Sequence, residues 1–116
     1  MDPLTLSILV AAWAGVAAYL YVTVYFLDLT FKILANWFRT FARLMVKNDH
    51  RPIKDRDKIG FTVQKAIESG DCNIVQGIFD QKAGEVYDAR VIKAGSVDEN
   101  IKEAHSDGKK EVVLWT

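Results

Sequence analysis

The stretch LTLSILVAAWAGVAAYLYVTVYFL, residues 4–27, contains 24 residues without a charged side chain. As one α-helix it would extend about 36 Å, at about 1.5 Å per residue, which exceeds a hydrocarbon core of about 30 Å. A helix in lipid also satisfies its own backbone hydrogen bonds. A cleaved signal peptide fits less well, because the stretch has no basic region before it and is too long. The sequence therefore predicts a transmembrane helix over residues 1–28.

Charged residues flank this stretch unevenly. Only Asp2 precedes it, whereas eight lysine and arginine residues follow between Lys32 and Lys58. The positive-inside rule then places the C-terminal part in the cytoplasm, on the inner face of a bacterial inner or internal membrane. Aromatic residues near that end of the helix suit an interfacial belt, namely Tyr19, Tyr21, Tyr25 and Phe26. The predicted location is integral and single-pass.

Small residues collect on one side of the predicted helix. They are Ser7, Ala11, Ala14, Gly15 and Ala18. Small residues four positions apart let a neighbouring helix approach closely in a membrane. The alternative is that alanine and glycine are simply common in membrane helices. Because larger apolar residues collect on the opposite side, the pattern favours a helix-packing face.

A second helix is predicted over residues 29–47 from a 3.6-residue period. Its basic face is predicted to bind anionic headgroups through Lys32, Arg39, Arg43 and Lys47. Its opposite face is predicted to be a docking surface made of Leu34, Trp37, Phe38, Phe41, Leu44 and Met45. Lipid, a neighbouring protein or the domain that follows can cover this apolar face. The absence of Pro and Gly from 28–47 favours one continuous helix, and a bend near residues 28–30 is the alternative.

The rest of the chain reads as a charged linker over residues 48–58 and a small cytoplasmic α+β domain over residues 59–116. The predicted order is roughly α-β-β-α-β, with residues 62–69 as the first helix or residues 59–63 as a strand instead. Two strands at 73–80 and 85–94 form a hairpin around Gly84. Ser96 is predicted to cap the next helix, with Glu99 three residues on. Residues 111–116 form the last strand, either at the edge of the sheet or inside it.

Chemical motifs are sparse. His50, His105 and Cys72 stand too far apart for a zinc-ligand spacing, and a Cys72–His105 nucleophile pair is disfavoured because Cys72 lies in a turn-like segment. The sequence contains no Gly-rich phosphate loop. Residues 59–116 carry seven Lys or Arg against ten Asp or Glu, so nucleic acid is not an expected partner. We expect a protein that is not an enzyme, and no pattern identifies a cofactor, whether pigment, quinone or lipid.

These observations predict an accessory, anchoring or scaffold subunit of a larger membrane-associated complex. Its expected partners are membrane lipids and other membrane-protein subunits or copies of itself. Two alternatives are a self-assembling homo-oligomeric scaffold and a membrane-tethered module that binds a soluble partner by its sheet edge.

Overall fold

The protein is a mixed five-stranded sheet with helices on both faces. The computed structural model describes residues 2–49, 58–64, 72–106 and 110–115, with the backbone alone for 41–49 and 72–73. The elements in chain order are α1 (Pro3–Ala17), β1 (Val22–Leu29), α2 (Phe31–Asp49), β2 (Lys58–Gln64), β3 (Cys72–Asp80), β4 (Glu85–Val97), α3 (Glu99–Ala104) and β5 (Val112–Leu114). The strand order is β1-β4-β3-β2-β5. Among the described strands, only β1 and β4 pair in parallel.

Helix α1 covers one face of the sheet. Its buried Ile8 and Ala12 pack in a cluster with Phe61, Val63 and Val75, residues from β2 and β3. Successive strand residues point to opposite faces, so alternate residues of these strands supply this core. Removing these apolar side chains from water is the main force that holds α1 on the sheet.

The other face carries α2 and α3. Leu34 of α2 and Ile101 of α3 form a second buried cluster with Ile74 and Ile92 of the central strands. Further along α2, Trp37 and Phe38 pack on Ile78. A Cβ atom at Gly60 would lie 2.9 Å from the Phe38 ring, so glycine allows this ring to approach β2 closely. The domain itself therefore covers the first two turns of the apolar face of α2.

The prediction of a transmembrane helix over residues 1–28 is wrong. The apolar run divides into α1, 15 residues long, and β1, and none of the described helices is long and apolar enough to cross a membrane. At about 1.5 Å per residue, α1 extends about 22 Å, well short of the roughly 30 Å required. The predicted single-pass integral location and the continuous helix through residue 47 are contradicted with it.

The predicted fold class is wrong for the same reason. The N-terminal residues do not lead away from the α+β domain but supply its helix α1 and its strand β1, which pairs with β4. Helix α2 does form from the amphipathic segment, at Phe31–Asp49. It begins after β1 ends at Leu29, so a strand separates the two helices.

The C-terminal half follows the sequence pattern more closely. Strands β3 and β4 pair as a hairpin around Gly84, which has a φ of +70°. Residues 58–64 form a strand, which agrees with the strand alternative, and residues 65–69 lie outside the described part of the chain. The predicted Ser96 cap is wrong, because β4 continues to Val97 and Asp98 caps α3 through its side chain.

Candidate binding surface

The two edges of the sheet differ sharply. Strand β5 has three residues and β1 has eight, or about 26 Å at about 3.3 Å per residue. Within the described residues, β1 pairs with β4 alone and β5 with β2 alone. Short strands, charged side chains and proline normally protect sheet edges against pairing with other chains. Strand β1, VTVYFLDL, has one charged residue and no proline. It is therefore the edge suited to further pairing.

Both faces of β1 expose apolar side chains. On the α1 side, Tyr25 is 69% exposed and Leu27 is 72% exposed. On the α2 side, Val22 is exposed, whereas Val24 and Phe26 pack in part against the second core cluster. Contiguous apolar surface of this kind on a small domain marks an interaction site.

The turn that joins α1 to β1 is strained. Tyr19 has a φ of +55°, in the left-handed region, and its side chain is 93% exposed. The backbone N–H of Leu20 donates to the Gly15 carbonyl at 3.0 Å, and that of Tyr19 donates to the Val16 carbonyl at 3.1 Å. These bonds close the helix end with a left-handed residue, a position that usually holds glycine. A non-glycine residue here costs free energy, and such residues collect at functional sites.

Gly15 and Tyr21 fix the geometry behind this turn. A Cβ atom at Gly15 would lie 2.0 Å from the Tyr21 ring, so only glycine leaves room for the ring against the helix. The Tyr21 hydroxyl donates to the Ala11 carbonyl at 3.2 Å. Burial raises the pKa of Tyr21, which keeps the hydroxyl protonated and able to donate. The ring is thereby held in a defined orientation.

A cavity of about 240 Å³ lies between the C-terminal half of α1 and the sheet. Buried Val75 lies at its base, and exposed Tyr19, Thr23 and Lys93 lie at its mouth. The remaining lining residues are Trp13, Val16, Tyr21 and Val91. Its wall thus contains three aromatic rings and one ammonium group.

On the opposite face, His105 belongs to a buried hydrogen-bond chain. Its Nδ1 lies 2.8 Å from the Lys110 carbonyl oxygen, which can only accept, so Nδ1 carries the proton. Its Nε2 then accepts from the Thr62 hydroxyl at 2.8 Å, and Thr62 accepts from Trp115 Nε1 at 2.7 Å. Desolvation lowers the pKa of His105, outweighing the bond to the Lys110 carbonyl. This neutral histidine tethers α3 and the C-terminal segment to β2.

Arg90 completes a polar row on the same face. Thr62, Gln76 and Arg90 are opposite one another on β2, β3 and β4. Arg90 Nε donates to Gln76 Oε1 at 2.9 Å, and Gln76 Nε2 donates to the Leu34 carbonyl at 2.9 Å. The Arg90 guanidinium also lies 5.3 Å from the centre of the Trp37 ring. Because these polar groups satisfy one another, the row orients α2 on the sheet.

The predicted helix-packing residues lie on different sides of α1. Ser7, Ala14 and Ala18 are exposed, Ala11 is half-buried and Gly15 is buried under Tyr21. The buried residues of α1 are Ile8, Ala12 and Gly15, and Ala11 packs in part against the same core cluster. Whether the exposed small residues contact another helix stays a prediction.

The predicted docking residues of α2 divide between the core and the surface. Leu34 is buried, and Trp37 and Phe38 are half-buried against the sheet. Among the predicted headgroup-binding residues, Lys32 and Arg39 are exposed, and their role stays a prediction. The side chains of Phe41, Arg43, Leu44, Met45 and Lys47 lie outside the described part of the structure.

The described residues contain no group of three His, Cys, Asp or Glu side chains that could hold a metal ion. His50 and the Cys72 side chain lie outside the described part of the chain, so the disfavoured Cys72–His105 pair is untested. Neither a family model, nor a curated protein, nor a solved structure matches the chain.

Sequence reasoning missed β1 as an edge strand and the cavity that Lys93 and Trp13 both line. One signal for β1 was present: residues 21–26, YVTVYF, consist entirely of β-branched and aromatic residues, which favour strands. For Lys93 no signal existed, because the fold alone places it beside a helix some 80 residues earlier in the chain.

Proposed function

We propose that the protein is a non-catalytic, self-assembling scaffold whose β1 strand pairs with β1 of a second copy. The observation that supports this most strongly is the long, apolar and nearly uncharged edge of β1. Pairing would join two five-stranded sheets into one of ten strands. An isologous pair of this kind closes on itself around a two-fold axis.

The β1 sequence is self-complementary in one antiparallel register. Residues opposite one another in an antiparallel pair lie on the same face of the sheet. The two-fold axis must therefore pass between one residue and the same residue of the partner strand. With Tyr25 on the axis, Val24 is opposite the partner's Phe26 and Thr23 is opposite the partner's Leu27. Asp28 is then opposite the partner's Val22, at the exposed end of the strand. Apolar residues meet throughout the centre, and no like charges are opposed.

The charge of the chain is compatible with self-association. The formal net charge is zero, from 15 basic and 15 acidic residues, so long-range repulsion between copies is small. Asp28 is also held within its own chain, because Ser96 donates a hydrogen bond to its carboxylate. The Asp28 carboxylate is thereby held against β4 of the same chain.

A charge-swap experiment tests the proposal. Tyr25→Lys and Tyr25→Glu each place two like charges opposite one another on the two-fold axis, so each variant should be monomeric. Mixing the two variants should restore a dimer, because opposite charges then face each other across the axis. Analytical ultracentrifugation of each variant and of the mixture measures this directly.

Two controls accompany the charge swap. Leu114→Lys places the same charge on the β5 edge and should leave the dimer intact; a monomeric Leu114→Lys variant would move the interface to β5. In a Cys72→Ser background, Tyr25→Cys should form an intermolecular disulfide faster than Val24→Cys or Phe26→Cys. Faster crosslinking at either neighbour would contradict the Tyr25 register.

A second candidate function rests on the outer face of α1. Leu6 and Val10 are exposed there beside the small residues Ser7 and Ala14, and the helix is apolar around its circumference. Helices that are apolar on all sides are normally buried on all sides. This favours an accessory subunit that docks another protein on α1.

The test of this second function is release from a partner. Ser7→Arg with Ala14→Arg should free the protein from a complex isolated from its source under native conditions. Gly15 must not be changed for this purpose, because any side chain there meets Tyr21. Retention of the double variant in the complex would exclude the α1 face as the contact.

A further inference from the structure

We infer that the cavity between α1 and β1 binds a small aromatic carboxylate. This inference does not rest on self-association, because the cavity is formed within one chain, although Thr23 and Lys93 at its mouth adjoin the β1 edge. Its walls supply ring contacts, and its mouth supplies one cation. An aromatic carboxylate is the ligand class that uses both.

The aromatic part of the site comes from α1 and the turn that follows it. Trp13, Tyr19 and Tyr21 line the cavity from this side, and Val75 and Val91 line it from the sheet. The Tyr21 ring is pinned between Gly15 and the Ala11 carbonyl, so one wall is formed before any ligand arrives. Preformed apolar walls with few polar groups are typical of small-molecule sites.

Lys93 gives the site its charge preference. It is exposed at the mouth, and no acidic residue lines the cavity. The ammonium has no carboxylate partner among the described residues, whereas Lys102 is paired with Glu99. A carboxylate held at the mouth would pair with Lys93 and accept a hydrogen bond from Thr23.

The backbone of Tyr19 is the second indication of a site. The left-handed φ of +55° would be accommodated better by glycine, and the 93% exposed ring contributes little to the core. Tyrosine at this position brings an aromatic ring to the mouth of the cavity. A residue that strains the backbone and packs little is explained by what its side chain contacts in a complex.

The cavity volume sets the size of the ligand. A dry protein cavity of about 150 Å³ accommodates benzene, so about 240 Å³ suits one or two fused rings. A helix or a folded peptide is too large. The carboxylate would remain at the mouth, where Lys93 and Thr23 are exposed.

Titration with 2-naphthoate, followed by the NMR signal of the Trp13 indole N–H, tests the inference on the full chain. We expect saturable binding and a weaker complex with the neutral 2-naphthylmethanol. Lys93→Met should weaken 2-naphthoate binding up to about fivefold, the upper end of the range for one exposed ion pair. The matched control Lys82→Met removes an exposed ammonium in the β3–β4 turn and should leave binding unchanged.

Tyr19→Gly separates a binding role from a folding role. It should weaken binding of 2-naphthoate while raising the midpoint temperature of unfolding, so a loss of binding cannot come from a loss of fold. Ser106→Gly relieves a second described non-glycine residue with positive φ, at 49°, and should leave binding unchanged. Absence of saturable binding at millimolar ligand, or equal binding by wild type, Tyr19→Gly and Lys93→Met, would overturn the inference. Equal affinity for 2-naphthylmethanol would also overturn it, since the site would then be an apolar pocket without an anion preference.

Discussion

Replacing Tyr19 with glycine should make the folded protein more stable. The left-handed backbone conformation costs an L-residue about 1–2 kcal/mol, and glycine adopts it without that cost. Glycine also gains backbone freedom in the unfolded chain, which costs about 0.5–1 kcal/mol. Since the Tyr19 ring is 93% exposed, little packing is lost with it. The net expected gain is about 0.5–1 kcal/mol in the free energy of unfolding.

Urea unfolding followed by tryptophan fluorescence measures this gain, and thermal unfolding should show a rise of about 2–4 °C for a chain of this size. Tyr19→Ala provides the control, because it removes the ring but keeps the Cβ atom and therefore the strain. Ser106→Gly, at another described non-glycine position with positive φ, should give a similar gain. If Tyr19→Gly were less stable than wild type while Tyr19→Ala were not, the strain argument would be refuted.

Three further predictions concern the fold. Ile8→Ala should lower the free energy of unfolding by about 2–5 kcal/mol in urea titrations, because Ile8 is fully buried against the sheet. The control Val10→Ala should change it little, because Val10 is 61% exposed. Equal effects of the two substitutions would mean that α1 does not pack as described. Arg90→Met should lower the free energy of unfolding by about 2–3 kcal/mol in the same titrations, because Gln76 Oε1 loses its donor and the Trp37 ring loses its cation. If Arg90→Met left the free energy of unfolding unchanged, the polar row would not be among the interactions that orient α2. Burial holds the pKa of His105 below its ordinary 6.5. As the pH falls, the unfolded chain therefore binds a proton at this histidine before the folded chain does. The stability that neutral His105 contributes is present above pH 6.5 and is lost as the pH falls below it. The free energy of unfolding, measured from pH 8 to 5, should fall by no more than about 1.4 kcal/mol per pH unit through this group. The His105→Gln variant should show a smaller fall. An unchanged pH dependence in that variant would assign the fall to other groups.

The sequence predicted the elements whose pattern is strongly periodic. The amphipathic period locates α2 to within two residues at each end, from a predicted 29–47 to an observed Phe31–Asp49. In α2 one face packs on the core and the other is polar, so the local pattern carries the information. The β3–β4 hairpin is located instead by the turn at Gly84, because β3 is buried on both faces.

The N-terminal run defeated sequence reasoning because it has almost no amphipathic pattern. Residues 4–27 are uniformly apolar, and uniform apolarity does not distinguish a membrane helix from a buried helix followed by a strand. Helix α1 ends just before Tyr19, which adopts a left-handed conformation that tyrosine rarely shows. Parallel pairing with β4, more than 60 residues away, then stabilises β1.

Non-local pairing also explains the misplaced start of α3. Ser96 has a good capping sequence, but it pairs with Asp28 of β1 and extends β4 past the predicted boundary. Asp98 then caps the helix and accepts from the backbone N–H of Asn100 at 3.1 Å. The candidate cavity is likewise a product of the fold, since its lining comes from α1, β1, β3 and β4.

The most direct test of self-assembly through β1 is the native mass of the purified chain, measured by sedimentation over a range of concentrations. We expect a dimer, with twice the 13.1 kDa mass of one chain, that the Tyr25→Lys substitution converts to a monomer. A wild-type mass of 13.1 kDa at every concentration, with Tyr25→Lys sedimenting identically, would contradict pairing through β1.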